Sequence, residues 1–120
     1  RNLRNLPNKA GKFPNLMEAD FVAPNATVIG DVSCGESSSI WYSSVLRGDT
    51  ASIKIGDSSI VQDKVNIFSS SKKTSSVDIG NEVFIGSNSL LDGCTLKDGS
   101  FVAMGATIHS GATIEIGSIV

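Results

Sequence analysis

From residue 22 onward apolar side chains return at every sixth position in four successive series. Val22 is followed by Val28, Cys34, Ile40 and Leu46, and Ile55 by Val61 and Ile67. Ile79 leads to Ile85 and Leu91, and Leu96 to Val102, Ile108, Ile114 and Val120. Four residues after each anchor stands a small side chain or a valine: Ala26, Val32, Ser38, Ser44, Ser59 and Val65, then Val83, Ser89, Thr95, Ser100, Ala106, Ala112 and Ser118. A glycine often trails the anchor by one, as in Ile55-Gly56, Ile79-Gly80 and Ile85-Gly86. Two coupled positions over so many repeats mark a repeat architecture.

A hexapeptide of this kind supplies one short strand and one corner, and three close a triangular coil of about eighteen residues. The anchors should point inward and stack on their equivalents one coil later. The small residues should also face in, close to a corner that lacks room for bulk. Gly, Asn and Asp at corners accept a positive φ at little cost. No coil buries its apolar face alone, so stability must come from stacked neighbours. A helical reading fails, because interior glycines recur and Val, Ile, Ser and Thr dominate. The pattern predicts an all-β solenoid of parallel strands over residues 21–120, after an extended lead-in at 1–20 that contains Pro7 and Pro14.

The register breaks in three places. Leu46 to Ile53 is a step of seven and Leu91 to Leu96 a step of five. Ser69–Ser76 (SSSKKTSS) holds no anchor and reads as a loop leaving a corner, with an anion or phosphorylation site as the alternative.

Composition narrows the function classes. With a net charge of −2 and no basic block, a nucleic-acid partner is disfavoured. No apolar run approaches the roughly 20 residues that span a bilayer. Because the sequence opens on Arg1, a processed precursor or a fragment is expected, with any organellar presequence already removed. Arg1, Arg4, Lys9 and Lys12, unaccompanied by an acid, read either as the remnant of such a leader or as a solvated basic arm. Cys34 and Cys94 fall within apolar strand patterns, where a buried free thiol is the commoner role and a disulfide the alternative. The one histidine, His109, follows an anchor and should face solvent at a corner.

The residues Phe21-Val22-Ala23-Pro24-Asn25-Ala26, Ser39-Ile40-Trp41-Tyr42 and Val45-Leu46-Arg47-Gly48-Asp49 resemble the γ-class carbonic anhydrases. So do Val61-Gln62-Asp63, Ile85-Gly86, Asp92-Gly93-Cys94 and Ala103-Met104-Gly105-Ala106, and the likeness covers residues 21–120. It implies a left-handed parallel β-helix within the wider hexapeptide-repeat group, which also includes acyltransferases. The C-terminal helix of that family is expected to be absent from this chain, whose repeat runs to Val120.

The resemblance also implies a trimer in which three histidines bind a metal at each subunit interface. One follows Gln-Asp by five residues, where this chain has Phe68 after Gln62-Asp63. The second follows Ile-Gly, where Ser87 stands, and the third precedes Gly-Cys, where Asp92 stands. Phe68 offers a cation no lone pair, Ser87 is a poor neutral ligand, and Asp92 alone is not a hydrolytic zinc set. The expectation is therefore no resident cofactor and no enzymatic activity. Arg47, Asp49, Gln62 and Asp63 are kept and are expected at the trimer interface, the charged ones as ion-pair partners across it or as corner residues with local hydrogen bonds. Each interface site draws histidines from two chains, so one degenerate chain in a heterotrimer spoils two sites and leaves the third intact. The likeness extends to the carbonic-anhydrase module on the matrix side of the mitochondrial inner membrane, in respiratory complex I. Partners are then other γ-carbonic-anhydrase-like chains and subunits of that membrane complex. The enzymatic alternative is an active γ-carbonic anhydrase or a hexapeptide-repeat acyltransferase, working as a soluble trimer with His109 as its one candidate base.

Overall fold

The computed structural model describes residues 6–8, 10–70 and 76–120. Within these residues the chain forms short strands and no helix, so no helix is long and apolar enough to cross a membrane. The strands are β1 (Phe21–Val22), β2 (Thr27–Cys34), β3 (Ser39–Ile40), β4 (Val45–Ile55) and β5 (Ile60–Val61). Then come β6 (Asn66–Phe68), β7 (Val77–Ile79), β8 (Phe84–Ile85), β9 (Leu90–Asp92) and β10 (Thr95–Leu96). β11 (Phe101–Val102), β12 (Thr107–Ile108) and β13 (Thr113–Ile114) complete the order.

Every strand pairing is parallel, as coils stacked on one another require. One face of the prism is the sheet β1-β3-β5-β8-β11. β2 and β4 run round the edge between the other two faces without a break. Those faces therefore join into one eight-stranded sheet, with β6, β9 and β12 on one side and β7, β10 and β13 on the other. The anchors fill the prism: Val28, Ile40, Leu46, Val61, Ile67, Ile85, Leu91 and Val102 are all fully buried.

Coil length varies, and hydrogen bonds between equivalent corners measure it. Asn25 reaches Ser43 after 18 residues, Glu36 reaches Asp57 after 21, and Asp57 reaches Asn81 after 24. Asn81 reaches Asp98 after only 17, and Lys97 reaches Glu115 after 18. The extra residues leave at edges while the strands keep step. Gly48 pairs with Gly30 and Ile53 with Val32, so residues 49–52 swing out from β4. The second insertion is the segment Ser69–Ser76, whose residues 71–75 lie outside the described residues, as do Arg1, Arg4 and Lys9 of the basic arm. The short coil corrects one inward position: Cys94 is buried and Thr95 faces outward, because the step from Leu91 to Leu96 has lost a residue.

The inward small positions do more than save space. Ser44 Oγ donates to Gln62 O at 2.6 Å and accepts from the Val65 N–H, tying its coil to the next. Ser59 does the same with Gly80 O and the Val83 N–H. Val32, Val65 and Val83 occupy equivalent places fully buried, so the corner admits a valine as well.

One corner carries a ladder of side-chain amide and carboxylate groups. The Glu36 N–H donates to Asp57 Oδ1, the Asp57 N–H to Asn81 Oδ1, and the Asn81 N–H to Asp98 Oδ1, at 2.8–2.9 Å. This ladder explains the glycine after the anchor. A Cβ on Gly56 would press on Asn81 Oδ1 and on the Gly80 backbone. Close approach, rather than a positive φ, is what that position demands. The left-handed residue sits two places later, where Ser58 has φ 56° and Glu82 55°, and only further along is it a glycine, Gly99.

Residues 6–8 and 10–20 lie against the edge of the first coil. Leu6 bridges to Ile29 and Asn15 to Ser33, while Pro14 is buried and Leu16 and Ala19 pack on the core. Cys34 and Cys94 are free and buried.

Two predictions follow from this packing. Gly56→Ala should cost about 1–3 kcal/mol through overpacking, whereas Ser58→Gly should gain about 1 kcal/mol by relieving left-handed strain; urea midpoints compare them directly. Burial pushes the Cys34 thiol up to about 11 and the Cys94 thiol up to about 12, Asp92 adding to the latter. As pH rises past 9 the unfolded thiols ionise first, so the unfolded state binds fewer protons and stability falls. At pH 10 the loss should be about 1.4 kcal/mol per thiol, and a Cys34→Ala/Cys94→Ala variant should show a flatter decline in urea midpoint between pH 8 and 10.

Candidate functional site

The side chains singled out in the sequence separate into two neighbouring groups. Strands alternate their side chains, so the residue next to each buried anchor points out of the prism. Arg47 follows Leu46 in β4, Phe68 follows Ile67 in β6, and Asp92 follows Leu91 in β9. These three stand in one outward row, with Phe68 and Asp92 in direct register. Gln62, Asp63 and Ser87 belong to the preceding corner, in the turns that follow β5 and β8.

Each of the three positions that the resemblance matches to metal ligands has another occupation. Phe68 lies under the Arg47 guanidinium, whose carbon is 5.3 Å from the ring centroid, a cation–π contact. Asp92 is held by Ser70: its Oδ1 accepts the Ser70 N–H at 2.8 Å and its Oδ2 the Ser70 hydroxyl at 2.6 Å. Ser87 Oγ donates to Gln62 Oε1 at 3.5 Å. Gln62 is itself fixed by the Ser44 hydroxyl on its carbonyl and by its own N–H on Ile85 O.

A metal does not fit this donor set. Phe68 has no donor atom, both Asp92 oxygens are engaged, and a serine hydroxyl keeps its proton at neutral pH. Among the described residues no group of three or more His, Cys, Asp or Glu side chains could hold a metal ion. The fit fails on the chemistry of the residues, and no metal-dependent step is derived through them.

Asp49 stands apart on the outward segment 49–52, where its Oδ1 accepts the Thr50 N–H at 3.0 Å. Among the described residues Arg47 makes no ion pair, and the pairs present are Lys12–Asp31 at 3.6 Å and Lys97–Glu115 at 3.0 Å. Arg47 is exposed, with its guanidinium carbon over the Phe68 ring. His109 is exposed on the turn after β12. A shallow cleft of about 420 Å³ lies on a different face, lined by Lys54, Asp78, Thr95, Lys97, Asp98 and Ile116, and contains none of these residues.

The sequence pattern did not reveal the Arg47–Phe68 contact or the Asp92–Ser70 clamp. Strand alternation would have placed the first, since both residues follow an anchor by one. The clamp joins residues 22 apart across a coil of irregular length, and no periodic signal marks it.

Comparison with known proteins agrees with this architecture. No family model matches the chain. It is 52% identical over 60 residues to mitochondrial γ-carbonic anhydrase 3 of Arabidopsis thaliana, which covers 50% of this chain and 23% of that protein. The crystal structure of a hexapeptide transferase family protein from Anaplasma phagocytophilum superposes with a TM-score of 0.76 at 33% identity, covering 98% of this chain and 75% of that one. A putative acetyltransferase from Bacillus cereus gives a TM-score of 0.77 at 30% identity, covering 100% and 75%. The chain spans 22–43% of the length of the first six curated relatives it matches. The coil architecture and these likenesses together establish that the chain belongs to the hexapeptide-repeat, left-handed β-helix family, with γ-class carbonic anhydrases among its relatives.

Proposed function

We propose that the chain is a non-catalytic, γ-carbonic-anhydrase-like assembly subunit that forms a trimer with non-identical partners. The observation that carries this reading is that all three ligand positions hold side chains with other duties: Phe68 under Arg47, Asp92 on Ser70 and Ser87 on Gln62. Arg47 supports the assembly half of the reading. Its planar fork suits bidentate pairing with a carboxylate, and the side chain is exposed over the Phe68 ring. Asp49 and Asp63 supply the complementary charge for the equivalent face of a neighbour.

Mitochondrial relatives among plant γ-carbonic anhydrases support a mitochondrial location. The finer placement, on the matrix side of the inner membrane within the NADH:ubiquinone oxidoreductase, follows from the family resemblance. The enzymatic alternative has His109 as its one candidate base, exposed just after β12 and one coil beyond Asp92 along the outward row.

The first test is chemical. Elemental analysis of the purified chain should find no stoichiometric zinc, iron or cobalt, and CO₂ hydration should stay at background. Near-stoichiometric metal removed by a chelator together with activity would overturn the non-catalytic reading. The second test is assembly. Arg47→Glu should release the chain from its trimer, read by native mass spectrometry, while the β-rich circular dichroism spectrum is unchanged. Stranding the partner's carboxylate should cost about 3–5 kcal/mol where the pair is buried. A wild-type chain that stays monomeric at micromolar concentration and retains no γ-carbonic-anhydrase-like partner would count against it.

A further inference from the structure

The polar run at residues 69–76 holds no anchor and leaves the prism between β6 and β7. Of its described residues, Ser69 is buried, Ser76 is half-buried and Ser70 is exposed. Ser70 forms the clamp at the foot of the run. Its N–H donates to Asp92 Oδ1 at 2.8 Å and its hydroxyl to Asp92 Oδ2 at 2.6 Å. Asp92 is half-buried in β9, in register with Phe68 of β6. One carboxylate thus fixes both polar groups of one exposed residue, and it has no other hydrogen-bond partner among the described residues.

Other exposed serines stand in a different setting. Ser37, Ser43 and Ser58 occupy corners with φ between 56° and 61°, each with its N–H bonded to the coil before. A protein kinase takes its acceptor in an extended stretch of chain, which a left-handed corner locked to its neighbour does not supply. Ser70 follows strand β6 by two residues, and its φ is not left-handed. In the sequence Lys72 and Lys73 come two and three places after it, the spacing read by kinases that recognise basic residues beyond the acceptor.

We infer that Ser70 is a phosphorylation site and that its modification opens the Asp92 clamp. The kinase moves the terminal phosphoryl group of a nucleoside triphosphate. The bond from that phosphorus to the bridging oxygen breaks and a bond to Ser70 Oγ forms. The hydroxyl proton passes to the kinase's base, and the nucleoside diphosphate leaves. The donor that Asp92 accepted is then replaced by a group of about −1.5 to −2 charge at pH 7. Two anions face each other where a 2.6 Å hydrogen bond stood, and like-charge repulsion parts them. Asp92 lies in the outward row with Arg47 and Phe68, so the new charge falls beside the face given to a neighbouring subunit. A chain modified before it meets its partners would dock less readily, and this link to assembly alone rests on the trimer reading.

The test uses the whole chain, magnesium ATP and a serine/threonine kinase that reads basic residues after the acceptor. One phosphoryl group at Ser70, located by fragmentation mass spectrometry, is expected on the folded chain and is absent from Ser70→Ala. Hydrogen exchange followed by NMR then reads the clamp. The Ser70 N–H should exchange at least about tenfold faster after phosphorylation, the loss expected of a hydrogen bond to a charged group. Asp92→Ala should reach that rate without phosphate, and phosphorylating Asp92→Ala should add nothing further, which separates release of the clamp from general loosening. The circular dichroism spectrum should be unchanged throughout. Labelling confined to Ser71, Thr74, Ser75 or Ser76, or labelling of Ser70 only in urea, would overturn the site. Unchanged Ser70 exchange in the phosphorylated chain would overturn the switch. An unmodified chain that forms no trimer would overturn the assembly reading and leave both of these results standing, so the two failures are distinguishable.

Discussion

Everything in this molecule depends on keeping equivalent residues one strand spacing apart from coil to coil. The strand-to-strand hydrogen bonds run between coils, while turn bonds such as Ala26 N–H to Ala23 O and Ala106 N–H to Ala103 O close the corners. If one coil drifted by a residue, every inward side chain above it would turn to solvent. The chain tolerates coils of 17 to 24 residues because the extra residues leave the ladder, as at 49–52 within β4, while the flanking pairs keep register. The corner ladder through Asp57, Asn81 and Asp98 acts as a set of pins, each fixing one turn to the next.

That constraint explains what was legible in the sequence. An inward position sees the same environment in every coil, so Ile40, Val61, Ile85 and Val102 repeat the same chemistry, and the prism could be read from them directly. The outward row of the sheet β1-β3-β5-β8-β11 was legible in principle, since Phe21, Ile60, Phe84 and Phe101 each precede an anchor by one. It escaped because Ser39 breaks the apolar series and its gap is filled by Trp41 from two residues away. The role of Gly56 was misread for a similar reason: what crowds it is the Asn81 side chain of the following coil, 24 residues on by the ladder bond. Periodicity reports what a coil repeats. It is silent on contacts made where coils differ.

The site region shows the same division. The resemblance marks Phe68, Ser87 and Asp92 as the positions to compare with metal ligands, and Phe68 cannot donate to a cation in any environment. What those residues do instead was not readable. Arg47 resting on Phe68 and Asp92 holding Ser70 depend on which outward positions neighbour each other across coils of unequal length. A metal site and its replacement thus use one scaffold, in which outward positions at an edge are free to change because the inward anchors carry the stability.

The clamp between Asp92 and Ser70 bears on how such a surface evolves. Ser70 stands at the foot of the inserted segment in the longest coil, and both oxygens of Asp92 are committed to it. A histidine at position 92 would regain a ligand and at the same moment release the root of that segment. The first step back toward a metal centre therefore carries a structural penalty before it brings any chemical return. Gain and loss of the site are not mirror images: drift away from it can proceed one residue at a time, whereas return requires Ser70 and position 92 to change together. On the proposed non-catalytic reading, the chain is kept from regaining a ligand at position 92 by its own loop anchorage.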